Sequence, residues 1–287
     1  MQTIISIYEP VRGGLANVRE NLRELASPKF PFLAQQLDHV FDSIGKQVRP
    51  GLTLLAASFY PHDPRITEMM ATAVELLHIA TLIHDDTVDN SNVRRGRATI
   101  SSMWGKNVAV LVGDYIFATS ATFVCDTGNI RVVRRFAETI MELSTGELQE
   151  MVDGYNREVT LEKYLERTYN KTASLFTTAG ESGAILSGAP EDRVKALRDY
   201  AYNIGMAYQI IDDILDFQGD EGALGKPVGN DISQGILTLP AILALQQSPN
   251  DNPIPQLFEN RGDKAILRQV VDFVLNSSAI DEAHSYA

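Results

Sequence analysis

Six aspartates fall into two runs of the same spacing, Asp85-Asp86-Thr87-Val88-Asp89 and Asp212-Asp213-Ile214-Leu215-Asp216. On a helix the first and last carboxylates of each run stand four residues apart and share a face. Gln209 extends the second run into a stripe at i, i+3, i+4 and i+7, with Ile210, Ile211, Ile214 and Leu215 filling the other side. Carboxylates crowded on an apolar helix repel one another and are costly to desolvate, so cations must offset them. Oxygen donors without thiolates or a His pair suit Mg²⁺, which takes one or two carboxylates and completes its octahedron with water and phosphate oxygens. Zinc prefers nitrogen and sulfur. One Asp triplet is equally well a solvated helix face. Two of the same spacing, each followed by a basic loop containing glycine, point to a metal-bound anion.

The chain itself is acidic, with a formal net charge of −12, which argues against nucleic acid as a partner. A small anionic ligand then needs local positive charge. Arg94-Arg95-Gly96-Arg97 begins five residues after Asp89, and Gly225-Lys226-Pro227 follows nine residues after Asp216. Lys46 and Arg49 lie in GKQVRP, Lys171-Thr172 in NKTASLF, and His78 two turns before Asp85. Arg suits bidentate phosphate contacts and Lys acts as a point charge. Other anion and metal motifs fail on spacing: GALGKP lacks the form of a P-loop, Ile100 stands where a calcium loop from Asp89 needs Glu, and no H-E-x-x-H occurs.

These residues need helices to position them. Met69, Ala73, Leu76, Leu77, Ala80 and Ile83 recur at helical intervals over Arg65–Asp89. Ile130–Met151, Leu161–Leu186, Glu191–Phe217 and Gly235–Gln247 read the same way, and Asn107–Phe123 reads as a buried helix despite its β-branched residues. Gly128-Asn129, Gly188 and Pro190 mark helix ends. The long connections, Asn90–Ser102 and Gln218–Ile232, each follow an Asp cluster and suggest functional loops. With 44% hydrophobic residues, the sequence reads as one all-α domain over residues 1–287 with a large core. No uninterrupted apolar run nears the ~20 residues of a membrane span, and the N-terminus has no secretory pattern. The lone Cys125, beside Phe123 and Val124, is expected to be a buried, inert thiol in a reducing cytoplasm.

Taken together, these motifs resemble the trans-isoprenyl diphosphate synthases, or polyprenyl synthetases, from about Gly45 to Pro240. The likeness rests on GKxxRP at Gly45–Pro50, ELLHIATLIHDDTVDNSNVRRG at Glu75–Gly96 and GD at Gly113-Asp114. KTASL at Lys171–Leu175, YQIIDDILD at Tyr208–Asp216 and GKPVGNDISQG at Gly225–Gly235 complete it. The resemblance implies a helical bundle around a central cavity, the isoprenoid synthase fold, and a homodimer whose interface uses the helix around Gly113–Phe123. It implies that Asp85, Asp86, Asp89, Asp212, Asp213 and Asp216 bind Mg²⁺, about three ions with substrate present. Arg94, Lys171 and Lys226 would contact an allylic diphosphate, and Lys46, Arg49, His78 and Arg95 isopentenyl diphosphate. Lys171, Thr172 and Gln209 would place oxygens near a developing cation. Product length would be set at Ala80, Thr81 and Leu77, with Phe117 a further candidate floor; the small Ala80 and Thr81 imply a product of geranylgeranyl length or longer, handed on to a membrane.

The chain departs from the family pattern at Ile236, where relatives commonly carry Lys, and it stops at HSYA where relatives continue through further helices. A terpene cyclase of the same fold would leave Lys46, Arg49 and His78 without a role. A metal phosphohydrolase of the HD type, suggested by His84-Asp85, would leave Asp212–Asp216 unexplained. An inactive partner subunit would tend to lose aspartates, and both clusters are complete.

Overall fold

The computed structural model describes residues 6–42, 45–219 and 228–287. Almost every described element is helical, as the 3.6-residue periodicity requires. Internal contacts gather into two compact units: unit 1 is Met1–Glu138 with Leu175–Ala201, and unit 2 is Thr139–Ser174 with Tyr202–Ala287.

Unit 1 is built from α1 (Arg12–Leu25), α2 (Pro31–Phe41), α3 (Val48–Ala57), α4 (Pro64–Val88), α5 (Ile100–Trp104) and α6 (Lys106–Asp126), with α9 (Ser174–Leu186) and parts of α7 (Ile130–Asp153) and α10 (Glu191–Gln218). Helix α4 starts where Asp63 caps it, accepting from Arg65 N, and Pro64 supplies the preset φ of a first turn. It packs most extensively on α6. That approach is close at Gly113, where any Cβ would overlap the His84 ring. Leu15, Leu37, Leu76, Ala80, Ile83, Val112 and Ile116 belong to the apolar core of this unit.

Both α4 and α6 are long and apolar enough to cross a membrane by length and composition, although charged residues interrupt each sequence. In α4 about two thirds of the apolar window is buried inside the protein, the pattern of a core helix. Helix α6 corrects the expectation of a buried helix, because Val110, Leu111 and Tyr115 point outward. Cys125 lies on the exposed side near its end, so the expected burial of that thiol is also wrong. Its apolar neighbours face elsewhere on the turn: Val124 is buried while Cys125 is not.

Unit 2 contains the rest of α7 and α10, with α8 (Leu161–Thr168), α11 (Asn230–Ser233), α12 (Leu239–Gln247), α13 (Ile254–Glu259), α14 (Lys264–Leu275) and α15 (Ala279–Tyr286). Tyr164, Ile214, Phe217, Leu237, Ile242, Val270 and Ala279 share its core. The stretch predicted as one helix over Leu161–Leu186 is continuous but carries a π turn at Tyr169–Ala173. The predicted Gly235–Gln247 helix begins late, at Leu239, because Gly235 adopts φ +83° and Pro240 suits only a first turn. At Gly188, with φ +73°, Ala189 N donates to Ala184 O and Gly188 N to Ile185 O, the paired bonds of a glycine C-cap.

Candidate active site

In unit 1 the first Asp cluster ends α4, and the chain then turns into a hairpin of β1 (Val93–Arg94) and β2 (Arg97–Ala98). The two-residue turn Arg95-Gly96 has φ of +51° and +77°, the left-handed pair that matches the twist of a tight hairpin. The hairpin is tied down at both ends. Arg94 Nε donates to Asp86 Oδ1 at 2.7 Å, and Thr99 Oγ1 donates to Ser91 O at 2.7 Å. Asp86 is consequently buried, whereas Asp85 is half-buried and Asp89 exposed. The long connection after the first cluster is thus a braced hairpin that carries Arg94 back to the cluster.

Arg95 returns further, to the segment before α3. A Cβ on Gly45 would overlap its guanidinium, so the glycine is what permits the approach. Lys46 is exposed beside it. Arg49, in the first turn of α3, stacks its guanidinium over the Phe176 ring at 4.4 Å from the centroid. His78 lies on α4, and burial with the charges of Arg49, Arg95 and Arg94 pushes its pKa well below the usual imidazole value. It is therefore a neutral hydrogen-bonding group amid cations. The sequence pattern missed Glu75, one turn earlier on the same face and almost wholly buried. Desolvation pushes its carboxyl up to about 7, against the opposing pull of Arg49 and Arg95. Lys46, Arg49, His78 and Arg95 all belong to this unit.

Unit 2 holds the second cluster at the end of α10. Its three aspartates do not share one environment. Asp212 is exposed, Asp216 half-buried and Asp213 buried. Asp213 Oδ2 accepts from the Tyr164 hydroxyl at 2.6 Å, and Oδ1 accepts from Gln209 Nε2 at 2.8 Å. Gln209 Oε1 in turn accepts from the Thr172 hydroxyl at 2.6 Å. Burial, and secondarily Asp231, raise the Asp213 pKa to about 7; Tyr164, Gln209 and Arg167 pull the other way. The Tyr164 pKa rises by burial and by the Asp213 charge. Asp216 accepts from the backbone N–H groups of Asn230 and Asp231 at 3.2 and 3.1 Å, on the first turn of α11. Ile236, at the position where Lys is common, is half-buried, and its N–H donates to Asp231 O at 2.9 Å.

The π turn gives Lys171 and Thr172 to this unit, and the ammonium of Lys171 lies between Glu147 and Glu150 of α7. Lys226 lies outside the described residues. The sequence pattern missed Tyr164, Glu147 and Glu150. Tyr164 could have been found, since it precedes Lys171 by two helical turns; the glutamates are more than twenty residues away in sequence and left no local sign.

The donor set fits Mg²⁺. It is oxygen only, and each cluster keeps a carboxylate at an accessible position, Asp85 or Asp89 and Asp212. Among the described residues no three His, Cys, Asp or Glu side chains converge into a complete metal cage.

Residues 30–274 match the polyprenyl synthetase family. The chain belongs to this family. The heptaprenyl diphosphate synthase component 2 of Geobacillus stearothermophilus is 36% identical over 280 residues, covering 98% of this chain and 87% of that protein. The crystal structure of the Staphylococcus aureus heptaprenyl diphosphate synthase superposes with TM-score 0.90 at 35% identity, covering 94% of this chain and 86% of that one. The Caulobacter crescentus polyprenyl synthase superposes with TM-score 0.92 at 30% identity, covering 99% and 88%. The polyprenyl synthetase identity makes the all-α bundle an isoprenoid synthase fold, and the protein a prenyltransferase that acts in prenyl chain elongation on isoprenoid diphosphates. Relatives in the family make medium- to long-chain products.

Proposed function

We propose that this polyprenyl synthetase condenses isopentenyl diphosphate head to tail (1′-4) with an allylic diphosphate, giving an all-trans polyprenyl diphosphate of geranylgeranyl length or longer and releasing diphosphate. The observation that carries the reading is the hydrogen-bonded line Thr172–Gln209–Asp213–Tyr164, which ties two oxygen-bearing side chains of the expected reaction centre to the second Asp cluster. Asp85, Asp86 and Asp89 in unit 1, and Asp212, Asp213 and Asp216 in unit 2, would hold Mg²⁺, which would supply positive charge to a diphosphate leaving group. The Caulobacter relative was crystallised with calcium and isoprenyl diphosphate, which supports a cation–diphosphate site.

The chain's own residues divide the remaining work. Arg94, Lys171 and Lys226 hold the allylic diphosphate. Lys46, Arg49 and Arg95 hold isopentenyl diphosphate, with neutral His78 donating a hydrogen bond. The Thr172 hydroxyl, the Gln209 carbonyl oxygen and the Lys171 main-chain carbonyl present dipoles to the allylic cation without capturing it. No side-chain base is required, because the departing diphosphate accepts the proton that is lost. The experiment that tests the reading is incubation with Mg²⁺, labelled isopentenyl diphosphate and allylic primers from dimethylallyl to geranylgeranyl. No incorporation with any primer sinks it.

Product length belongs to the same proposal. Ala80 and Leu77 are each 1% exposed, and Thr81 is half-buried with its hydroxyl on His78 O. The small side chains at 80 and 81 support the reading of a longer product, since neither is a bulky aromatic stop. Ala80→Phe is expected to shorten the product by one or more isoprene additions, read by radio-chromatography; an unchanged length distribution removes position 80 from the control of product length.

Homodimerisation is supported by α6. Only about a third of its apolar window is buried, and Leu111 is 68% exposed, Val110 43% and Tyr115 40%. A second copy covering this face would bury a contiguous apolar strip. Leu111→Glu is expected to shift the sedimentation coefficient from dimer to monomer. An unshifted dimer places the interface elsewhere.

A further inference from the structure

Lys171, a ligand of the allylic diphosphate in the proposed reaction, is paired with two carboxylates of its own chain, and the role inferred for those carboxylates rests on that of Lys171. Its ammonium is 2.5 Å from Glu150 Oε1 and 3.1 Å from Glu147 Oε1. The two glutamates stand one turn apart on α7, and all three side chains are about a third exposed or less. Backbone packing fixes this arrangement. A Cβ on Gly146 would come within 2.6 Å of Lys171 N, so α7 rests directly on the π turn. The Tyr169 hydroxyl donates to Glu142 Oε1 at 3.1 Å, and Asn170 Nδ2 donates to Gln149 Oε1 at 3.0 Å, bracing the same turn along the same helix. The carboxylates therefore stand at Lys171 because of how the two elements dock. A long side chain's reach is not needed to explain it.

We propose that Glu147 and Glu150 are exchange counterions for Lys171, yielding the ammonium to an incoming diphosphate and taking it back when diphosphate leaves. A chain-elongating enzyme must release a diphosphate after every addition. Withdrawing an anion from a half-buried ammonium leaves an uncompensated charge, which opposes release. Resident carboxylates remove that opposition, and they also repel the bound diphosphate. Lysine suits such an exchange because its ammonium is a compact charge on a flexible stem, whereas an arginine fork would be held in a fixed bidentate geometry.

The test uses the full chain and inorganic diphosphate at fixed Mg²⁺, followed by titration calorimetry. The double variant E147Q/E150Q keeps size and hydrogen-bonding capacity while removing both charges. It is expected to bind diphosphate about five- to tenfold more tightly than wild type, the scale of a partly exposed charge pair. In a Lys171→Met background the same two substitutions should change affinity by less than about twofold. Equal or weaker binding by the double variant overturns the proposal. So does tightening that persists undiminished without Lys171, since that would be a general effect of charge. If Lys171→Met alone leaves diphosphate affinity unchanged, the assignment of Lys171 itself fails, an outcome distinct from the other two. Should the double variant not fold, Glu150→Gln alone, which removes the nearer partner, is expected to tighten binding in the same direction, and its failure to do so counts equally against the idea.

Discussion

Asp85→Ala and Asp212→Ala are each expected to lower turnover by a factor of about 10³ or more, equivalent to about 4 kcal/mol of transition-state stabilisation. Both residues sit at half-buried or exposed positions near the end of their helices, so truncation leaves the cores of both units intact. Asp213→Ala is predicted to behave differently. Removing its carboxylate leaves the buried Tyr164 hydroxyl and the half-buried Gln209 amide without their acceptor, at about 1–3 kcal/mol for the hydroxyl. Activity and stability should thus fall together in Asp213→Ala but separate in Asp212→Ala. Steady-state assays beside urea unfolding of the same preparations distinguish the two patterns. If either Asp85→Ala or Asp212→Ala keeps a tenth of wild-type turnover, the proposed role of that cluster is wrong.

This contrast also shows what the sequence could and could not reveal. The spacing of the two Asp runs, their helical setting and the basic loops behind them are local properties, and periodicity exposes them directly. Which aspartate of each run turns inward is decided by long-range partners. Arg94 reaches Asp86 because a tight hairpin returns it. Tyr164 reaches Asp213 from 49 positions away in sequence. The same limit explains Cys125, whose apolar neighbours say nothing about which side of α6 faces out. The π turn at Tyr169–Ala173 escaped for a related reason. Its sequence, YNKTA, carries no helix breaker, and it is the close packing of Gly146 against the Lys171 backbone that marks the site. Glu75 stood inside a recognised motif, yet its chemistry depends on being buried beside two arginines that come from elsewhere in unit 1.

Glu75→Gln is expected to make the apo protein more stable than wild type at pH 8 and nearly indistinguishable from it at pH 4.5. The wild-type carboxyl has a pKa of about 7 in the folded chain, raised from 4.5 chiefly by desolvation. Below 4.5 it is protonated whether the chain is folded or not, and folding costs nothing through this group. Between 4.5 and 7 the folded state holds the proton more tightly than the unfolded state, so raising pH favours unfolding. Above 7 the full cost of a buried carboxylate is present, on the order of 3 kcal/mol. Glutamine mimics the protonated form at every pH and escapes the loss. The stability gap measured by urea unfolding should therefore open as pH rises through this window. A wild type more stable than Glu75→Gln at pH 8 would mean that Arg49 and Arg95 outweigh desolvation, with Glu75 a buried carboxylate partner of the two arginines. The direction matters for the proposed isopentenyl diphosphate site. Below its pKa of about 7 the neutral carboxyl leaves both guanidinium charges available to an incoming diphosphate, while above it the ionised form competes for them.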